Sequence, residues 1–291
     1  MTTVTVSESR QRRRVPSALR SWQARIGIVG LLCILALVIV GPWIAPYPPT
    51  DIVGIPFSKP TSDHWLGTDF IGRDVLSRVM HGGRSVVLLA LVATALAYLM
   101  GGTLGLIAGF VRGKLDSLIM RSVDVLLAFP AMLFILLLAT GVGASPAVVV
   151  VGIAIIQTPH ISRVIRAATL QLVGRGFVEA AVARGESTFR ILRREIVPNI
   201  ASTLLADAGP RFTFSILMVA ALNFLGVGLR PPQPDWAVMI SENRPGLQVN
   251  VWSVLAPAIL IAILAVSINL IADAVARTRG RSLEESGVPS S

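Results

Sequence analysis

Residues 177–199 read FVEAAVARGESTFRILRREIVPN, a polar segment that lies between two long apolar stretches. The first third of this segment contains good helix formers, and Gly185 can adopt the positive φ that ends a helix. Ser187 can cap a second short helix, and Pro198 is expected to break that helix before the next apolar stretch. The segment therefore predicts two short helices that meet at a glycine.

The second short helix is amphipathic. Its apolar and basic side chains are Phe189, Arg190, Ile191, Leu192, Arg193 and Arg194. Such a helix can lie on anionic lipid headgroups, with its basic side chains close to phosphate. It can equally form a docking knob for a cytoplasmic protein, and the residues alone leave both interpretations open.

The apolar stretches on either side indicate a membrane protein. Of the 291 residues, 53% are hydrophobic and 14% are charged, whereas soluble domains carry about 25% charged residues. A helix of about 20 apolar residues crosses the hydrocarbon core, and the runs here are unbroken rather than alternating. We therefore predict an all-α integral membrane protein with six transmembrane helices. The predicted spans are 26–45, 85–111, 117–141, 146–168, 202–228 and 253–275.

Arg and Lys residues set the predicted orientation. Nineteen lie on the side of the N-terminal tail and six on the opposite side, and cytoplasmic loops carry the excess of positive charge. We expect a multi-pass protein of the inner cell membrane with both termini in the cytoplasm, and no nucleic-acid partner. The predicted organisation is a cytoplasmic tail at 1–25, a first helix at 26–45, an extracytoplasmic segment at 46–84, a five-helix core at 85–275 that includes a cytoplasmic loop at 169–201, and a cytoplasmic tail at 276–291.

The second span carries small residues at every fourth position. They are Ala93, Ala97, Gly101, Gly105 and Gly109. A stripe of small side chains lets two helix backbones approach closely in a membrane. We expect this stripe to be a packing seam inside a helix bundle.

Two charged residues stand inside the predicted fifth span, Asp207 and Arg211. Lone charges in hydrocarbon cost roughly 2.5–3.5 kcal/mol each on insertion scales, and an i, i+4 pair can offset that cost. The pair either lines or gates a path through the membrane or is a structural ion pair near the membrane interface.

His160 follows Pro159 in the predicted fourth span. A proton relay through this histidine would need an acidic neighbour, and its own span contains none. A proline kink with a hydrogen-bonded or solvated histidine is the favoured interpretation.

Asp69, Arg73 and Asp74 precede the second span. They either form a local salt-bridged elbow or contact a protein that delivers substrate.

Several kinds of catalytic and metal-binding motif are absent from the sequence. It has no phosphate-binding Gly-x-x-x-x-Gly-Lys-Ser/Thr loop, no HExxH, no CxxC and no Gly-x-Ser-x-Gly. Its three histidines, His64, His81 and His160, are too scattered to suggest a metal site. The sequence therefore predicts no enzyme activity. A membrane carrier that works alone is less favoured. Such a carrier would need inverted repeats or an acidic coupling site, and the sequence shows neither.

Glu179-Ala180-Ala181, Gly185 and Pro198 stand at fixed spacing, with the glycine four residues after Ala181 and the proline thirteen after the glycine. This pattern resembles the EAA loop of permease subunits of ATP-binding-cassette (ABC) importers. The resemblance implies a coupling helix that seats in a groove of an ATPase subunit, so that ATP-driven closure moves the loop and tilts the spans. The residues implied in coupling are Glu179, Ala180, Ala181, Arg184, Gly185, Phe189 and Pro198.

Further stretches support one branch of that family. They are HWLGTD at 64–69, GRD at 72–74, RSVDVLLAFP at 121–130, LGVGL at 225–229 followed by Pro231, Pro232 and Trp236, and INLIAD at 268–273. Together they resemble the C-type subunit of dipeptide and oligopeptide permeases. The resemblance implies the six-helix type I importer permease fold and a peptide substrate, with nickel or glutathione as alternatives in the same family.

The resemblance also implies partners. These are a second, B-type permease subunit, two ATP-binding-cassette ATPase domains, which would bind ATP and Mg²⁺, and an extracytoplasmic substrate-binding protein. This chain would then hold no cofactor and no metal. The residues implied along the translocation path are Asp207, Arg211 and Asn223, and those implied on the binding-protein side are Asp69, Arg73, Asp74 and Trp236. The chain departs from the family pattern at Val219 and Asn223, where an acidic residue and Ser are usual, and this departure bears on substrate choice.

Overall fold

The computed structural model describes residues 21–229 and 231–285, and most of them are helical. The described α-helices are α1 (Trp22–Ile44), α2 (Val75–Val111), α3 (Gly113–Leu127), α4 (Ala131–Val142), α5 (Pro146–Val173), α6 (Gly176–Ala183), α7 (Thr188–Ile191), α8 (Val197–Phe224), α9 (Trp236–Asn243) and α10 (Trp252–Glu285). A π-helical turn, Leu192–Ile196, joins α7 to α8, and a 3₁₀ turn, Arg244–Gly246, follows α9. The prediction of an all-α protein is confirmed.

Five of the described helices are long and apolar enough to cross a membrane, and the bent pair α3–α4 makes six if it counts as one span. The single span predicted at 117–141 is instead bent by 87°. Pro130 causes the break, because it cannot donate to the carbonyl of Leu126 and it disfavours helical backbone at the residue before it. The helix accordingly ends at Leu127 and a new one begins at Ala131.

The stripe of small residues on α2 is the packing seam that the sequence predicts. A Cβ atom added at Gly105 would lie 2.5 Å from the carbonyl oxygen of Ser162 in α5, and one at Gly101 would lie 2.8 Å from that of Thr158. The α2 and α5 backbones therefore meet at a distance that any larger residue would prevent.

The segment between α1 and α2 forms a cap with the chain around α9. We use "the cap" for residues 46–74 together with 235–251. The helix α2 starts at Val75, ten residues before the predicted boundary of 85. The Asp74 carboxylate accepts from the Ser77 main-chain N–H at 2.8 Å and from its hydroxyl at 2.7 Å, which caps the helix there.

The last helix is also longer than predicted, because α10 continues to Glu285 rather than ending near 275. Most of the predicted tail at 276–291 is thus part of α10. Residues 1–20 and 286–291, which belong to the two predicted tails, lie outside the described residues, and so does Arg230.

Candidate coupling and translocation site

Residues 175–196 form a compact projection that we call the hook. Within it, α6 ends at a glycine, as predicted: Gly185 has a φ of +72°. The N–H of Gly185 donates to Val182 O at 2.9 Å and that of Glu186 donates to Ala181 O at 3.2 Å. Ser187 stands at the N-cap position of α7, although its side chain makes no capping hydrogen bond. The short first helix and the glycine at its end are confirmed, whereas the second helix, α7, continues into α8.

One side of the hook packs against the helix bundle. Val178, Ala181, Ile191, Leu192 and Ile196 are buried and form a hydrophobic cluster with residues of α2, α5 and α8. Ala181 of the EAA pattern is therefore a packing residue. Its role is to hold the hook against the membrane-spanning helices.

The opposite side of the hook is exposed. Glu179 and Ala180 are exposed there, and the Phe189 side chain is 73% exposed. Arg184 is exposed too, and its guanidinium donates to the Glu186 carboxylate at 2.7 and 3.0 Å. An aromatic side chain that is exposed on an otherwise polar surface is well suited to insert into a hydrophobic pocket of a binding partner.

Pro198 does not break the helix, which corrects the sequence-based expectation. The chain is helical without interruption from Thr188 to Phe224. The π turn supplies the reason: the N–H of Val197 reaches back five residues to Leu192 O, and Pro198 falls in the first turn that follows. Asn199 Nδ2 donates to Glu195 O at 2.6 Å. The second half of the hook, from Thr188 onward, is thus the start of the same continuous helix that contains α8.

Polar residues recur along one face of α8. The Asp207 carboxylate accepts from the Tyr98 hydroxyl of α2 at 2.7 Å and lies 3.3 Å from Arg211 Nη2. Four residues further on, Ser215 accepts from Gln157 Nε2 of α5 at 2.7 Å and lies 2.7 Å from the Thr94 hydroxyl of α2. These bonds tie α8 to α2 and α5.

Asn223 lies eight residues beyond Ser215, next to the end of α8 at Phe224. It is buried, its Oδ1 accepts from the Leu229 N–H at 3.1 Å, and its side chain lies beside the Asp235 carboxylate. Burial raises the pKa of Asp235. All three predicted path residues, Asp207, Arg211 and Asn223, therefore belong to one helix, with Asp207 and Arg211 as direct neighbours and Asn223 near its end.

The sequence did not predict the hydrogen-bond partners of these α8 residues. Tyr98, Gln157 and Thr94 lie on other helices, far from α8 in the sequence. Ser215 could have been found, because it continues the four-residue spacing of Asp207 and Arg211.

His160 has the acidic neighbour that its own span lacks. The charges of Asp207, Arg211 and Arg163 all lie within electrostatic range of the imidazole, and the side chain is exposed. The α5–α8 packing brings Asp207 there. The predicted structural role of His160 beside Pro159 stays a prediction, and its acidic neighbour comes from a different helix.

The predicted charges of the cap form a buried network. Asp69 accepts from Arg73 Nε at 2.6 Å and lies 3.4 Å from Arg78 Nε, and Glu242 of α9 contacts both arginines at 3.2 and 2.9 Å. These four side chains are at most 8% exposed. Burial raises the pKa of Glu242, and the positive charges of Arg78 and Arg73 offset part of that rise. The geometry is that of a salt-bridged elbow.

Asp74 and Trp236 are also internal to the structure. Asp74 lies 3.2 Å from His64 Nδ1, and the fully buried Trp236 donates from Nε1 to Val79 O at 2.8 Å. Gly82 and Gly83 of α2 leave the room that the indole fills. Contact of this region with a binding protein stays a prediction, and it would involve the surface that these buried side chains support.

Three or more metal-ligating side chains do not come together anywhere in the part of the chain that the structure describes. The candidate functional site consists of the hook, the polar residues of α8 and the cap.

Comparison with known proteins gives matches over most of the chain. Residues 101–281 match the family described as binding-protein-dependent transport system inner membrane component. Residues 19–60 match the N-terminal TM domain of oligopeptide transport permease C.

Individual relatives agree with the family match. The di/tripeptide transport system permease protein DppC of Pseudomonas aeruginosa is 34% identical over 256 residues, which cover 85% of this chain and 84% of that protein. The glutathione transport system permease protein GsiD of Pectobacterium atrosepticum is 36% identical over 214 residues, covering 74% of this chain and 71% of that protein.

Solved structures support the fold. Two inward-facing structures of the MetNI methionine ABC transporter superpose with TM-scores of 0.52 and 0.55 at 18% and 17% identity. They cover 67% and 71% of this chain, and 92% and 95% of the matched chains. The helical hook, the membrane-spanning bundle and these matches lead to one conclusion: the chain belongs to the binding-protein-dependent transport system inner membrane component family, the multi-pass inner-membrane permeases of ABC importers, and to its dipeptide and oligopeptide branch.

Proposed function

We propose that this chain forms half of the translocation pathway of an ATP-driven peptide importer and that the hook transmits the motion of an ATPase to α8. The continuity of the hook with α8 carries the proposal. A docked partner that displaces Phe189 is expected to displace the helix that bears Asp207 and Arg211 as well, because the chain is helical without a break from Thr188 to Phe224.

The charge of the hook supports a cytoplasmic orientation. Arg175, Arg190, Arg193 and Arg194 all lie on the hook, and cytoplasmic loops carry such an excess. With the hook inside the cell, both termini are cytoplasmic and the cap is extracytoplasmic. The cap then faces the binding protein and the hook faces the ATPase.

The proposed complex contains four kinds of component. This chain pairs with a second, B-type permease, two ATPase domains bind the hooks, and a binding protein delivers substrate to the cap. ATP and Mg²⁺ bind to the ATPase domains, and this chain itself neither hydrolyses ATP nor holds a cofactor or metal.

A peptide substrate is supported by the names of the relatives, which include di/tripeptide and dipeptide permeases. Glutathione is the second candidate, because GsiD is among the matches and glutathione is itself a tripeptide. Nickel chelates remain the alternative outside the peptides.

Gly185 offers a direct test of coupling. Its φ of +72° is disfavoured for other residues, but nothing lies within 4 Å of where a Cβ would be. Gly185→Ala therefore strains the hook by roughly 1–2 kcal/mol without a clash. Gly176→Ala is the matched control, because Gly176 has equally open space in the same hook without a positive φ.

The whole complex is reconstituted in proteoliposomes with its binding protein, and substrate-stimulated ATP hydrolysis and uptake are measured. We expect Gly185→Ala to lower both several-fold, Glu179→Lys to abolish them, and Gly176→Ala to leave them unchanged. Unaltered hydrolysis and uptake in Glu179→Lys would contradict coupling through the hook. Uptake by this chain without companion subunits would favour a carrier that works alone.

A further inference from the structure

Arg211 is held loosely by its ion-pair partner. Its contacts with the Asp207 carboxylate are 3.3, 3.3 and 3.4 Å long. Arg166 of α5 shows the alternative, because it binds Asp116 with two parallel hydrogen bonds of 2.6 Å each. A guanidinium prefers the second, fork-to-fork geometry, so Asp207 satisfies Arg211 only in part.

Tyr98 accounts for the difference. Its hydroxyl donates to Asp207 Oδ2 at 2.7 Å, which engages this carboxylate from the α2 side. Within the described residues the contacts of Arg211 use Nε and Nη2, and a guanidinium has five N–H donors. Donors of Arg211 are therefore left over, and the side chain is 24% exposed.

The depth of Arg211 restricts what those donors can face. It lies thirteen residues before the end of α8 at Phe224, about 20 Å of helix rise. A charge in contact with lipid at such a depth is energetically unfavourable. The exposed part of Arg211 must therefore face an aqueous path or a polar group.

The neighbouring helix α5 adds a second polar side chain, that of His160. It is exposed and lies within electrostatic range of Arg211. Arg163, one turn along α5, contacts the Asp124 carboxylate of α3 at 2.6 Å, and its charge is thereby balanced. Arg211 and His160 are therefore two neighbouring groups of this region whose N–H donors can serve an anionic ligand.

We propose that Arg211, assisted by His160, binds the carboxylate of the peptide as it passes through the membrane. The inference rests on the proposed function, whose substrate it refines: the recognised group is a carboxylate, which a guanidinium binds through two parallel hydrogen bonds. Asp207 and Tyr98 position the guanidinium without saturating it. Because α8 continues into the hook, motion of the hook displaces Arg211 and releases the carboxylate.

A charge-selective thiol reaction tests this site without knowledge of the substrate. Cys33 is the single cysteine of the chain, so Cys33→Ser permits one reporter cysteine, Ala208→Cys, placed three residues before Arg211. The whole complex in membrane vesicles is treated during ATP turnover with sulfonatoethyl or trimethylammonioethyl methanethiosulfonate, which are anionic and cationic respectively. The ratio of the two reaction rates is measured.

We expect Arg211→Gln to lower the anionic-to-cationic rate ratio at position 208. One unit charge at ~8 Å, in a medium between protein and water, changes each rate by about fivefold. Asp207→Asn should raise the ratio, and Arg163→Gln is the matched control that should leave it unchanged. A reporter that reacts with neither reagent, or a ratio that Arg211→Gln leaves unaltered, overturns the proposal.

A transport measurement separates this inference from the proposed function. Uptake of dialanine and of its C-terminal amide is compared in the reconstituted complex. We expect Arg211→Gln to lower uptake of the free acid to the level of the amide, and an unchanged preference for the acid contradicts carboxylate binding at Arg211. A wild-type complex that takes up neither compound contradicts the peptide substrate, while the thiol rate ratio still decides whether Arg211 attracts anions.

Discussion

Arg84 of α2 donates from Nε to the main-chain carbonyl oxygen of Val38 in α1 over 2.9 Å. That carbonyl would normally accept from the residue four positions later, which is Pro42 and has no N–H. A second bond, from Nη2 to Ile39 O at 2.9 Å, accompanies it. A side chain of α2 thus repairs the backbone of α1 where the proline interrupts it, and fixes the first helix to the core.

Replacement of Arg84 should weaken this attachment. Arg84→Leu leaves the Val38 carbonyl without a donor, and an unsatisfied buried acceptor costs about 1–3 kcal/mol. We expect that loss in the free energy of unfolding, measured by denaturant titration of the purified chain in detergent. Arg244→Leu, at an exposed arginine, should change it little. Equal stability of the two variants would show that Arg84 contributes nothing beyond its charge.

The α2–α5 seam gives a prediction that compares two glycines three residues apart. Gly105→Ala places a Cβ 2.5 Å from Ser162 O, whereas Gly102→Ala places one 3.5 Å from the nearest atom, Ile165 Cδ1. Overpacking of this kind costs about 1–3 kcal/mol. We expect the thermal stability of the folded chain in detergent to fall for Gly105→Ala and to stay within error for Gly102→Ala. A larger fall for Gly102→Ala would mean that the seam runs along a different face.

The buried charges of the cap should respond strongly to the loss of one member. Asp69→Ala removes the carboxylate that holds Arg73 and Arg78, and an unpaired buried charge costs about 3–5 kcal/mol. We expect the cap to open, with faster proteolysis at 46–74 in reconstituted membranes. Asp63→Ala, at an exposed position of the same segment, is the control. Proteolysis at the wild-type rate in Asp69→Ala would show that the buried ion pairs do not stabilise the cap.

The sequence could predict features that depend on near neighbours in the chain. The positive φ of Gly185 follows from its place between two helix-forming stretches, and the seam follows from four-residue spacing alone. The number of spans follows from hydropathy, provided that α3 and α4 are counted together.

Features that depend on distant segments could not be predicted. Tyr98 and Asp207 are 109 positions apart, and no local pattern indicates that they meet. Arg78 and Arg84 lie in the first turns of α2, and their charges suggest from the sequence that the span starts after them. In the structure Arg78 pairs with Glu242 of the cap, and Arg84 donates to the α1 backbone. Pro198 reads as a helix breaker because a π turn, which accommodates it, has no clear sequence signal.

The central claim is that the exposed side of the hook docks on an ATPase, and Phe189 allows this contact to be observed directly. In a Cys33→Ser background, Phe189→Cys is labelled with benzophenone maleimide in membranes that contain the whole complex, and photo-crosslinked partners are identified by mass spectrometry. Leu137→Cys on α4, which is 68% exposed in the isolated chain, serves as the control. The account predicts a crosslink from position 189 to a phosphate-loop ATPase and none from position 137. Labelling of position 189 from outside intact cells, or a crosslink only to lipid, would contradict it.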